Sequence, residues 1–351
     1  MKSSLFDDFE RIEINRDDFL VEHYTFLNTS AIPEAVEARV RIDSWSEGFP
    51  INDEFLKRFR SKNNKQHAAA FFELFIFHYF KSNGFAIQCI ERDKKPTPDF
   101  MVEINGENVF IECTCSSNSG IDEIIDKLQS TILDSFKKID KRKHFINIDW
   151  LVSSNISPSL KRIRHLIREY ICEESRSPAL IIDDAGWKIK ITLLPASNDV
   201  SRGVGILRSP VQMPTPHLNV LTALNDKRPS KYQLSSPYII ALYSEDMFLN
   251  YLDMELALFD RARFQDKLPV KRGKDKAFFI AKQHLTNSSV SAVLLVQRLT
   301  PYSSETPKMK LFNHPEPKFS FNNLQLKIAQ WQFNRIDDDT FQIMEVQSQE
   351  D

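Results

Sequence analysis

Glycine is scarce in this sequence. It supplies 8 of 351 residues, about 2% where ~7% is usual. Phosphate sites cradled by glycine-rich loops are therefore not expected. The Gly-Val-Gly at 203–205 lacks the strand–helix setting that a dinucleotide or phosphate loop requires. Cysteine is scarcer still, with four residues at 89, 113, 115 and 172, which excludes a disulfide scaffold. Cys113 and Cys115 are two apart and would share one face of a strand. They do not form a C-x-x-C pair, and no His/Cys group stands nearby, so zinc is not expected. No apolar stretch approaches the ~20 residues of a membrane span. The opening MKSSLFDDFERIEINRDDF is acidic and lacks the apolar centre of a signal peptide, so a cytoplasmic chain with no membrane partner is expected. Charge of one sign is absent too. Lys+Arg is 46 and Asp+Glu 48, a net charge of −2. That excludes a chain-wide basic character but leaves room for a local basic groove. No Gly-x-Ser-x-Gly occurs. His144, His165, His284 and His314 are scattered, and His78 reads as a core histidine, so neither a triad nor a histidine metal site is visible.

The remaining composition is ordinary for a soluble folded protein, with 42% hydrophobic and 27% charged residues. The length allows two or three units, or one core with a large insertion. The most hydrophobic helix candidate is 66–82, QHAAAFFELFIFHYFKS, stopped by Ser-Asn-Gly at 82–84. A helix apolar nearly all round is buried. Glu73 inside it must be paired, metal-bound or at a wet edge. Strands follow at 85–91, 99–104 and 108–116, and the last two are joined by a tight Asn-Gly-Glu turn at 105–107. A helix is expected over 121–140, strands over HFINIDWLVSS and GWKIKITLLPA, and a helix over 157–174 between them. Residues 195–216 read as a loop and 217–232 as a helix kinked near Pro229. The apolar run 236–244 suits a buried central strand. SVSAVLLVQRL is a further strand, and the tail from 300 carries few periodic signals.

The hairpin carries the chemistry. Residues symmetric about an antiparallel turn lie opposite one another, so Asp99 and Glu112 should be neighbours at its open end. Neighbouring carboxylates repel unless a cation lies between them, and a hard divalent ion prefers such oxygens. Glu73 on the preceding helix could add a third.

Glu73, then Pro98-Asp99-Phe100, then Ile111-Glu112-Cys113-Thr114, resembles the PD-(D/E)xK nuclease superfamily and its restriction-endonuclease-like core. The likeness covers about residues 65–116 with a later helix and strand. It implies that Asp99, Glu112 and the Cys113 carbonyl bind Mg²⁺, with Mn²⁺ as a substitute, and that Glu73 binds a second metal or a metal-bound water. The family lysine should stand two residues after the glutamate, where this chain has Thr114. A threonine cannot supply that positive charge. Members of the superfamily with a migrated lysine point to Lys231 and then Lys227, four residues apart on the helix before 236–244, with Tyr232 beside them. Lys127 is a weaker candidate, and solvated surface lysines are the plain alternative. The layout from about 65 to 317 also resembles a group of bacterial proteins sharing this order of elements.

For nucleic acid, the basic run Lys271, Arg272, Lys274 and Lys276, with Lys267 before it, could close on a backbone. Arg162 and Arg168 on the 157–174 helix could track phosphates or simply form a solvated face. The expectation is an α/β restriction-endonuclease-like core whose mixed sheet of four or five strands is flanked by helices. Residues 1–64 would be an N-terminal helical extension. Residues 65–245 would be the core, with an insertion at about 117–215, and 246–351 a C-terminal extension packed on it. The implied function is a Mg²⁺-dependent deoxyribonuclease, in defence against foreign DNA or in repair, acting on DNA alone, as a homodimer or with a partner protein. The alternative is a nuclease-fold protein that binds DNA or a protein without cutting.

Overall fold

The computed structural model describes residues 4–12, 22–91, 96–116, 120–136, 139, 144–172, 178–195, 204–207, 216–229, 232, 234–246, 249–259, 277–281, 284–302, 306–321, 324–337 and 340–346. In chain order the helices are α1 (His23–Thr29), α2 (Pro33–Trp45), α3 (Asp53–Phe59), α4 (Asn64–Ser82), α5 (Gly120–Phe136), α6 (Leu160–Cys172), α7 (Pro216–Asp226) and α8 (Tyr251–Phe259). The strands are β1 (Ala86–Cys89), β2 (Phe100–Ile104), β3 (Glu107–Ser116), β4 (His144–Val152), β5 (Leu180–Asp184), β6 (Trp187–Pro195), β7 (Val204–Leu207) and β8 (Tyr238–Ser244). They continue with β9 (Ile280–Ala281), β10 (His284–Leu285), β11 (Ala292–Gln297), β12 (Lys308–Asn313), β13 (Ala329–Asp337) and β14 (Thr340–Val346). No helix among the described residues is long and apolar enough to cross a membrane.

The chain divides into two compact units. The first comprises 1–14, 22–117 and 215–351, the second 15–21 and 118–214. In the first, eight strands form one mixed sheet in the order β1-β2-β3-β8-β11-β12-β13-β14. This is larger than the four or five strands expected from sequence. The difference lies after residue 300, where β12, β13 and β14 join the sheet although prolines and polar residues obscure their alternation. Strands β11 to β14, within the 246–351 stretch, belong to this same sheet.

At the centre, β3, β8 and β11 run parallel. Every residue of β8 is buried, which is why its sequence, YIIALYS, shows no alternation. One sheet face packs on α4. Phe100, Val102, Ile104, Val109, Ile111, Cys113, Ile239 and Ala241 share a core with Phe72, Ile76 and Phe80 of α4. On the other face Tyr238, Ile240, Leu242, Val293 and Leu295 pack with Val220 and Leu224 of α7 and Leu258 of α8. Each fully buried Phe, Leu or Ile contributes roughly 1.5–3 kcal/mol relative to exposure. The β2–β3 turn is two residues, Asn105 at φ 53° and Gly106 at φ 77°. A two-residue turn with both φ values positive suits the twist of flanking strands, and Asn-Gly tolerates it best.

In the second unit the sheet order is β5-β6-β4-β7. Its core holds Ile132 and Phe136 of α5, Ile146, Ile148 and Trp150 of β4, Ile163 and Ile167 of α6, and Trp187, Ile189 and Ile191 of β6. Strands β5 and β7 were not apparent in the sequence, and β7 falls in the stretch read as loop.

Candidate metal centre on the β2–β3 hairpin

The hairpin register pairs Phe100 with Ile111 and Ile104 with Glu107, so Asp99 and Glu112 occupy the next position, at the open end. The even-numbered residues of β3 around Glu112 face the layer containing α7. Phe110 packs there, and Ile240, the β8 neighbour of Glu112, belongs to it. By the same alternation Asp99 lies on that face. Both carboxylates are buried, at 8% and 4% exposure. Asp99 is held from two directions. Its Oδ2 accepts from the Cys113 backbone N–H at 2.8 Å, and its carbonyl accepts from the Ile90 N–H at 3.0 Å.

Among the described residues the cation paired with this site is Lys227. Its Nζ donates to Glu112 Oε1 and forms an ion pair with it. The position follows from how α7 ends. The helix stops at Asp226, and Lys227 sits in the turn beyond, its N–H bonded to the Leu224 carbonyl at 3.1 Å. Pro229 disfavours helix at the residue before it. Lys227 therefore reaches the site from the turn after α7 and not from the helix itself. Lys231, the first-choice lysine, lies outside the described residues. The Tyr238 hydroxyl donates to the Lys227 carbonyl at 3.0 Å. Tyr232 lies close enough to Glu112 to feel its charge. Burial works against the Lys227 charge, but Glu112 beside it, then Asp99, outweigh that and hold the ammonium above the ordinary lysine value. Burial, then Glu112, pushes the Tyr232 hydroxyl up to about 12, so it is a neutral donor at pH 7.

Glu73 takes the paired outcome among those its buried helix left open. It belongs to α4, on the opposite face of the sheet, and Arg58 of α3 clasps it. Arg58 Nη1 and Nη2 lie 2.6 and 2.8 Å from Glu73 Oε1 and Oε2. Helix α3 is started by Asn52, whose side chain accepts from the Phe55 N–H. A two-point guanidinium–carboxylate pair of this kind answers the cost of burying Glu73. The sequence offered one signal for Arg58, namely that a carboxylate on a buried helix needs a cation. Nothing in the spacing said which one. Glu73 still contributes to the field. The buried Cys113 thiol is pushed well up by burial and then by Asp99, Glu73 and Glu112, so it stays protonated and is no thiolate ligand.

Asp99 and Glu112 present two buried oxygen donors. That set suits magnesium, which takes one or two carboxylates and keeps several waters. Among the described residues no group of three or more His, Cys, Asp or Glu side chains is arranged to hold a metal. Lys271, Arg272, Lys274 and Lys276, with Lys267, lie outside the described residues. On α6, Arg162 is exposed and pairs with Asp184 at 3.1 Å, and Arg168 is exposed. Lys127 is exposed on α5. His78 stacks on Trp45, with ring centroids 5.7 Å apart, and burial lowers its pKa.

No family model, curated protein or solved structure matches the chain.

Proposed function

We propose that the protein is a metal-dependent nuclease of restriction-endonuclease-like fold that hydrolyses DNA phosphodiester bonds. The observation that carries this reading is Lys227 seated on Glu112 beside Asp99. An ammonium reaches the carboxylate pair from another element, although Thr114 fills the place where a lysine would stand next to them in sequence.

Asp99 and Glu112, with the Cys113 carbonyl, would hold Mg²⁺ or, in its place, Mn²⁺. When bound, the ion supplies Lewis acidity to the phosphoryl oxygen and lowers the pKa of water. The chain's own residues do the rest. Lys227 stays protonated across the neutral range, so it acts as a fixed positive charge and hydrogen-bond donor toward charge developing on the phosphate. It is not the general base. Tyr238 fixes the Lys227 backbone. Asp99, anchored through the Cys113 N–H, keeps its carboxylate aimed at the open end of the hairpin. Glu73 is assigned to balancing Arg58 rather than to binding metal.

The test is cleavage of linear, circular and single-stranded DNA with Mg²⁺, Mn²⁺ or a chelator, wild type beside Asp99→Ala. Cleavage that requires the metal and disappears in the variant supports the reading. The substrate pattern separates endonuclease from exonuclease. The second reading, a nuclease-fold protein that binds DNA or a protein without cutting, draws on Thr114 and on the engagement of Glu73 by Arg58. Equal inertness of wild type and variant, with equal DNA binding, would favour it.

A further inference from the structure

Beyond the carboxyl ends of β8 and β11 lies a cavity of about 680 Å³, inside the range of roughly 300–1,000 Å³ usual for small-ligand sites. Ligands of open α/β sheets bind at these strand ends. The cavity is distinct from the carboxylate pair. Ser244, which lines it, is four residues along β8 from the Glu112 neighbour Ile240, about 13 Å at ~3.3 Å per residue.

Its lining combines three chemistries. Two tyrosine rings are exposed there, Tyr251 at 43% and Tyr302 at 37%. Two cations line it. Arg298 directly follows β11, and Lys308 opens β12 as the register partner of Gln297. Both are exposed, and neither makes an ion pair among the described residues. Arg298 also holds φ at 57°. That left-handed backbone is uncommon for a long side chain, and such outliers cluster at ligand clamps. Finally there are acceptors. Glu245 is exposed on the wall. His67 has its Nδ1 2.5 Å from the Phe59 carbonyl. Burial pushes its pKa down to about 4, so the ring is neutral at pH 7. Nδ1 carries the hydrogen and Nε2 is left as an acceptor.

An aromatic face, two cations on the lining and acceptors for N–H or O–H groups match one class of ligand. We propose that this cavity binds a single nucleotide unit. Arg298 and Lys308 take its phosphate, Tyr251 and Tyr302 its base, and Glu245 and His67 its amino or hydroxyl donors. The unit is a free nucleotide or the 5′-phosphorylated end of a DNA strand, and only the second source rests on the nuclease reading.

The experiment is calorimetric titration of the full chain with adenosine monophosphate, adenosine, ribose 5-phosphate and a 5′-phosphorylated eight-residue oligodeoxyadenylate. Wild type is compared with Arg298→Gly, Lys308→Ala and Asp99→Ala. Arg298→Gly relieves the left-handed backbone, so loss of binding there is not loss of fold. The expected result is saturable binding of adenosine monophosphate, at least tenfold weaker in Arg298→Gly and Lys308→Ala, with adenosine and ribose 5-phosphate each at least tenfold weaker. Binding of the oligonucleotide alone, with the same sensitivity to both variants, assigns the cavity to a strand end. Binding of neither, or binding indifferent to both variants, overturns the proposal. Binding of adenosine monophosphate is expected to be the same in Asp99→Ala, because the cavity is separate from the carboxylate pair. An inert wild type that still binds nucleotide would sink the nuclease reading and leave the cavity assignment standing.

Discussion

The two units bury different things. Of the buried polar and charged side chains among the described residues, Ser135 alone belongs to the second unit. Its hydroxyl donates to the Ile132 carbonyl one turn back. The first unit buries Arg39, Glu73, Asp99, Glu112, Glu255 and Lys310. Most of these are visibly compensated. Arg39 donates to the Leu27 and Ser30 carbonyls at 2.5 and 2.8 Å. Lys310 pairs with Glu345 and lies 3.7 Å from the Tyr251 ring centroid. Replacing a buried ion pair by apolar residues is often neutral or stabilising, whereas removing one partner is costly. Among its described residues the second unit holds no buried charged side chain, although one Asp149 oxygen is buried. The charges of the first unit therefore call for a reason other than stability, and the carboxylate pair supplies one.

The comparison can be broken most directly at Lys227. Lys227→Met is expected to cut cleavage by roughly 10²–10³ and to destabilise the first unit by about 3 kcal/mol, because Glu112 is left buried and unpaired. Adding Glu112→Gln should restore most of the stability and none of the cleavage. Denaturant unfolding and cleavage rates read the two effects, and a double variant as unstable as the single one would refute the pairing. In the second unit, where packing alone is at stake, Trp187→Ala should cost about 3–5 kcal/mol and show the same penalty from pH 5 to pH 9.

Arg58→Met should cost about 3 kcal/mol by stranding Glu73, and Arg58→Met with Glu73→Gln should recover much of it. Glu73→Gln alone should reduce cleavage far less than Asp99→Ala. An equal loss would return Glu73 to the metal.

Glu255 sharpens the contrast through pH. Burial raises its carboxyl from 4.5 to about 8, so between those values the folded state holds more protons than the unfolded one. Stability then falls as pH rises through that window. The penalty is absent below pH 4.5 and complete above pH 8. Glu255→Gln should match wild type near pH 4.5 and exceed it above pH 8. Hydrogen exchange should place the effect in amides of the first unit. The smallest expected effect is Ser135→Ala, within about 1 kcal/mol.

The hairpin was legible because three local signals agreed: the Asn105–Gly106 turn, the alternation on both sides of it, and the symmetry that sets Asp99 against Glu112. Strands β8 and β11 were legible from their continuous apolar runs. Strands β5 and β7 and the edge of the sheet from β12 to β14 were not, since short or half-exposed strands leave weak periodicity. Among the lysines, Lys227 was named from spacing on an assumed helix, whereas α7 ends at Asp226 and Lys227 stands in the turn beyond it. Pro229 broke the periodicity on which the four-residue argument depended. Arg58 was passed over because its partner is 15 residues away on another helix.

Sequence by itself determined what acts locally. It set which segments bury, where the chain turns, and that two acids flank one turn symmetrically. Tertiary structure alone decided which cation meets which acid. It put Lys227 on Glu112 across 115 residues and Arg58 on Glu73. It also brought Arg298, Lys308, Tyr251 and His67 around one cavity. The reason is physical. Backbone periodicity and turn preference are short-range, whereas charge pairing in a buried site depends on distances of a few ångströms that packing fixes only when the whole sheet has formed.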